Sequence, residues 1–201
     1  MVWDLFIKSL YESIQKIDIE YFSVTRNNEK TPNIWRERAY CYELYHQLRY
    51  YIPSYDFPDY KLHGELDKKG DELCGCFKKY GWKGCPNPDF VVHVPGKDKN
   101  LVVMEVKSIS SIENAKTGIE IAKRDIRKLE IFIDKCDAKK RYEHGIFLIF
   151  GSDDYPEVHE SIYKLKVKDE LRPNGRLCIL WHKEVGKAPD TIDGISHLDS
   201  S

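Results

Sequence analysis

The chain has 201 residues, enough for one domain of ordinary size with a sizeable core. Hydrophobic residues at 41% and charged residues at 32% exclude a disordered or fibrous chain. A net charge of −1 excludes a globally basic nucleic-acid binder, so any such surface has to be local.

No apolar run approaches the ~18 residues of a membrane span, so no membrane association is expected. The first seventeen residues carry acids throughout and no small-residue cleavage site, which does not fit a secretory signal. Six cysteines without an export signal are expected to be reduced, and the expected location is cytoplasmic.

From Val2 to about Tyr21, Leu5, Phe6, Leu10, Ile14 and Ile17 recur at helical steps and predict an amphipathic helix. Thr31-Pro32-Asn33 then opens a second helix, with Thr31 as cap and Pro32 in the first turn, ending near Tyr50 ahead of Pro53. One face of it carries Glu37, Cys41, Leu44 and Leu48, so Glu37 is aligned with apolar neighbours. A short strand is expected over Tyr60–Asp67, with His63, Glu65 and Asp67 on one face and Leu62, Gly64 and Leu66 on the other. Residues 68–87 form an irregular insert.

The most informative stretch is Pro88–Lys107, PDFVVHVPGKDKNLVVMEVK. Two β-rich runs, Asp89–Val94 and Leu101–Lys107, flank the polar Pro95–Asn100, as in a hairpin. Pairing Val94 with Leu101 sets Asp89 opposite Val106, beside Glu105 and Lys107. Period two puts Glu105 and Lys107 on one face. Charged groups in a run buried on both faces cost stability unless they have a partner or a task, and these fit a metal site with a lysine beside it.

Ser108–Gly118 is expected to be a loop into the longest helix, which reaches about Cys136 and buries Ile119, Ala122, Ile126, Leu129 and Ile133. His144–Phe150 is almost wholly apolar and reads as a central strand. Glu157–Leu171 is expected to be helical, Arg176–His182 to be the last strand, and 183–201 to be a loosely ordered polar tail. The order α-α-β-β-β-α-β-α-β predicts one domain, an α/β sandwich around a mixed sheet, with its core at about 31–182.

This constellation resembles the PD-(D/E)XK nuclease superfamily, which has a restriction-endonuclease-like three-layer fold. The resemblance is carried by Pro88-Asp89 and Glu105-Val106-Lys107. It extends, as in small bacterial members, to Glu37-Arg38 with Leu44, to Glu65, to Lys128-Leu129 and to Gly145-Ile146-Phe147-Leu148. It covers about residues 34–151.

The resemblance implies that Asp89, Glu105 and the Val106 carbonyl bind Mg²⁺ or Mn²⁺. Lys107 would position the attacking water, and Glu37 would hold a metal-bound water or a second ion. Glu43 competes for that role but lies about 600° further round the helix. Glu65 is open between supporting the site and pairing with Lys107, and Lys128 is expected to point toward it. The implied activity is hydrolysis of DNA phosphodiesters, with dimerisation plausible for double-strand cleavage. The alternative is a catalytically silent nucleic-acid-binding or protein-interaction module.

Cys74, Cys76 and Cys85, with His63 and His93 near, form a weaker candidate for a structural Zn²⁺. The cationic residues between Lys123 and Arg141 read by default as a solvated helix face. A phosphate-contacting edge is the alternative.

Overall fold

A computed structural model describes residues 2–23, 36–54, 59–65, 73–113, 117–152, 165 and 175–192. Among these, six strands form one mixed sheet in simple chain order: β1 (Lys61–Gly64), β2 (Phe90–Val94), β3 (Lys99–Ser108), β4 (His144–Phe150), β5 (Leu177–His182) and β6 (Asp190–Thr191). The β3-β4 and β4-β5 pairs are parallel and the others antiparallel. The protein is thus α/β, as expected.

Helices cover both faces of the sheet. Tyr40 of α3 (Glu37–Ser54) stacks on Phe150, as does Phe22 of α2 (Ile19–Phe22) edge-on, while Trp3 of α1 (Val2–Gln15) stacks on His144. Ile133, in the π-helical turn Ile131–Lys135, instead lies over Gly145. Phe150 and His144 have one parity on β4 and Gly145 the other, so α1–α3 and the α6 side lie on opposite faces. Glu105 and Lys107 pair with Phe147 and Ile149 and so belong to the face of α6 (Thr117–Glu130).

Several boundaries differ from expectation. The first helix stops at Gln15, and Ile19–Phe22 is a separate turn begun by extended Asp18. Phe6, Leu10, Ile14 and Ile17 are buried, but Leu5 is exposed. Thr31 and Pro32 lie outside the described residues. The second helix continues past Tyr50 to Ser54, because burying Ile52 outweighs the single bond Pro53 cannot make. The insert is not irregular throughout. α4 (Leu73–Lys79) forms there and docks by Phe77, which is fully buried against Phe132 at 4.6 Å, a burial of about 2–3 kcal/mol.

The expected loop after β3 contains α5 (Ile109–Glu113). Gly118 makes the α5–α6 junction possible, since a Cβ there would meet the Ser111 and Ile112 carbonyl oxygens at 2.5 Å. Within the expected tail, Asp190–Thr191 forms β6, held to β5 by pairing and by Lys183–Asp190 at 2.7 Å. The helix expected over Glu157–Leu171 lies outside the described residues except for Leu165, which is buried. Among the described residues no helix is long and apolar enough to cross a membrane.

Candidate active site

The site is made by the place where β2 leaves the sheet. The hairpin register is Val94 with Lys99 and Phe90 with Met104, not Val94 with Leu101. A four-residue turn, Pro95–Asp98, replaces the expected six-residue link, and a bulge between Val92 and His93 absorbs one residue of β3. The shift comes from turn chemistry, which the alternation of hydrophobic residues does not encode. Asp89 therefore lies just beyond the ladder, and its side chain occupies the vacated edge. The Val106 N–H donates to Asp89 Oδ2 at 2.7 Å. In an extended strand the N–H and C=O of one residue leave from the same edge, so the Val106 carbonyl also faces Asp89.

Both faces of the sheet meet around this opening. Lys107 Nζ donates to Glu37 Oε1 of α3 at 2.9 Å and lies 3.6 Å from Asp125 Oδ2 of α6. Lys128 Nζ lies 2.6 Å from Glu105 Oε2 and 3.6 Å from Asp125 Oδ1. Four carboxyl groups thus face two ammonium groups, leaving two negative charges in excess when all are ionised. Glu105 is 2% exposed, and its Oε1 has no hydrogen-bond partner among the described residues.

Burial governs the electrostatics. It holds the Glu105 carboxyl well above the usual carboxylate range, with Lys128 only partly opposing. It also raises Asp89, against the Val106 N–H and Lys107. Burial pulls Lys107 down, but the hydrogen bond and charge of Glu37, with Asp125 and Asp89, outweigh it, so the amine stays protonated. The nearby Cys41 thiol is raised by burial and then by Asp89 and Glu37, which makes it an unreactive wall residue.

The structure brings together Glu37, Asp89, Glu105, Lys107 and Lys128. It does not bring Glu43, whose Oε1 accepts from Gln47 at 2.6 Å and whose Oε2 lies 3.4 Å from His46. Glu37 contacts Lys107 directly, through its Oε1. Glu65 is not a strand residue on the His63 face. β1 ends at Gly64, Glu65 turns to φ 45°, and its N–H donates to the Asp89 carbonyl at 2.9 Å. Its side chain is exposed, and among the described residues it makes no ion pair with Lys107. Asp125 was the residue sequence reasoning passed over. Its position three before Lys128, on the same helix face, was the available signal.

A cleft of about 590 Å³ opens beside Asp89 and Glu37, bounded by Arg38, Tyr42, Tyr45 and Phe90. Tyr45 and Phe90 stack across it at 6.3 Å.

Among the described residues the zinc candidate does not assemble. His93 Nε2 and His63 Nδ1 hydrogen-bond to each other at 2.9 Å, and Cys76 Sγ packs 2.6 Å from Cys136 Sγ. The Cys74 side chain lies outside the described residues. Among those described, no three His, Cys, Asp or Glu side chains are placed to cage an ion. Asp89 and Glu105 could supply two acidic ligands and Val106 a backbone oxygen. Two carboxylates suit Mg²⁺, which keeps several waters and is seldom fully caged. The orphaned Glu105 Oε1 and the excess negative charge fit such an ion.

No protein-family model, no curated protein and no solved structure matches the chain. The functional reading therefore rests on the residues themselves.

Proposed function

We propose that the chain is a Mg²⁺- or Mn²⁺-dependent nuclease of the PD-(D/E)XK kind, hydrolysing DNA phosphodiesters in the cytoplasm on a restriction-endonuclease-like sheet. The observation that carries this is the juxtaposition of Asp89, bonded to Val106 N–H, with a buried Glu105 whose Oε1 lacks a partner. Asp89, Glu105 and the Val106 carbonyl would hold the cation. A bound divalent cation supplies charge neutralisation at the scissile phosphate and an acidified water.

The chain's own groups do the rest. Lys107 stays cationic, so it orients the attacking water and offsets charge developing on the phosphate; it does not serve as the base. Glu37 fixes Lys107 from α3, and Asp125 fixes both lysines from α6. Arg38 and the tyrosines of the cleft face incoming substrate. Cutting both strands of a duplex would take two copies of the chain.

One observation favours a silent binding module on the same scaffold. The Lys128 ammonium already neutralises one oxygen of Glu105 and stands in for part of a cation's role. Incubation of supercoiled plasmid and single-stranded DNA with Mg²⁺, Mn²⁺ or EDTA separates the two readings. Metal-dependent nicking by wild type, lost in Lys107→Ala, is the expected result. Absence of nicking with both metals would leave the silent module.

A further inference from the structure

A second groove, of about 620 Å³, lies along the outer side of α6. It is lined by Lys83, Arg124, Arg127 and Lys135, by the carboxylate of Glu130, and by Tyr80 and Trp82. Asp134 pairs with Lys135 at 2.5 Å, so four cations stand against two acids, a local excess of positive charge in a chain of net charge −1. The Arg124 guanidinium sits over the Trp82 ring, 4.7 Å from its centroid, and Tyr80 is half exposed. Trp82 itself meets the buried Phe77 edge-on at 5.8 Å.

Cations alone would suit any polyanion. Cations interleaved with aromatic faces suit one whose repeating phosphates alternate with flat bases. A base in a duplex already has its faces covered, so the half-exposed Tyr80 can stack only on an unpaired one.

The groove also shares its helix with the candidate site. Arg124 adjoins Asp125 and Arg127 adjoins Lys128, each step turning about 100° around α6. A strand lying along Arg124 and Arg127 is thereby held one residue away from the side chains that contact Lys107 and Glu105.

The geometry points to this groove as a binding site for an unpaired polynucleotide segment, its phosphates on Arg127 and Lys83 and a base against Tyr80, beside the Arg124–Trp82 stack. The inference rests on the nuclease reading only for the class of ligand, and it adds that the substrate is engaged as a single strand.

The test is fluorescence anisotropy in EDTA with the full chain, using labelled oligothymidylate, oligouridylate and a duplex of the same length. The chains compared are wild type, Arg127→Glu and Tyr80→Ala. Arg127 and Tyr80 are exposed, and a thermal melt verifies that their variants fold. Wild type should favour the single strands, with the two oligonucleotides separating DNA from RNA preference. Arg127→Glu should weaken that binding at least tenfold and flatten its salt dependence, and Tyr80→Ala should weaken it about tenfold.

Unchanged affinity in Arg127→Glu and Tyr80→Ala, beside intact metal-dependent cleavage, would overturn the groove and leave the nuclease reading standing. Weakened binding in both, with no cleavage by wild type, would retain the groove and remove the nuclease. Equal loss on duplex and single strands would overturn the unpaired-strand assignment, and no polynucleotide binding by wild type would overturn both.

Discussion

Lys128 Nζ lies 2.6 Å from Glu105 Oε2, and both side chains are under a tenth exposed. A buried pair of this kind adds little over an apolar pair of the same shape, whereas removing one partner strands the other. Lys128→Met should therefore cost roughly 3–5 kcal/mol in denaturant unfolding at pH 8, and Lys128→Met/Glu105→Gln together much less. At pH 5 the single variant should recover part of the loss, because the Glu105 carboxyl is already held above its ordinary range and takes a proton. A single-variant loss below 1 kcal/mol at pH 8 would mean that the two groups are not coupled.

Glu37 and Glu43 share α3, and only the first reaches the site. Glu37 accepts from Lys107, while Glu43 is spent on Gln47 and His46. Glu37→Gln should lower metal-dependent cleavage by tenfold or more through a misdirected Lys107, with little change in melting temperature. Glu43→Gln should leave cleavage within twofold and lose up to about 1 kcal/mol of stability. The opposite ranking in kinetics would overturn the choice of helix face.

The charged constellation was legible because each member sits against an apolar pattern that a strand or helix face would otherwise complete. Glu105 and Lys107 interrupt a core strand, and Glu37 shares a stripe with Leu44 and Leu48, both fully buried. The hairpin register was not legible, since a turn of one length and a bulge leave the same alternation of residues. Nor was Glu65. Its departure to φ 45° is set by the bond from its N–H to the Asp89 carbonyl, a long-range contact that local propensity does not record. Asp125 looked like one more charge on a solvated face, and only packing of α6 on β3 separates it from its neighbours.

His182 is fully buried, with Nδ1 2.9 Å from the Tyr40 hydroxyl, and burial lowers its pKa to about 4 from 6.5. The folded protein thus binds this proton less readily than the unfolded chain. The stability His182 contributes is present above pH 6.5 and is lost as pH falls through 6.5 toward about 4, a total of roughly 3 kcal/mol. An NMR titration of the ring should place its midpoint near 4, and a midpoint above 6 would remove His182 from the acid limb.

Glu105 and Asp89 act with the opposite sign. Both carboxyls are raised in the folded state, chiefly by burial, so folding favours their protonated forms. Their contribution to the metal-free protein is greatest below the ordinary carboxylate range and declines as pH rises through the folded-state values. A divalent cation bound there competes with those protons. The rise in melting temperature produced by Mg²⁺ should therefore grow from pH 5.5 to pH 8, and calorimetry in buffers of different ionisation enthalpy should register proton release on binding. Glu105→Gln should abolish the Mg²⁺ increment, because it removes the ligand, and should lower the melting temperature of the metal-free protein at pH 8, because it strands the buried Lys128 ammonium. An increment that is independent of pH, or that survives Glu105→Gln, would place the cation elsewhere on the chain.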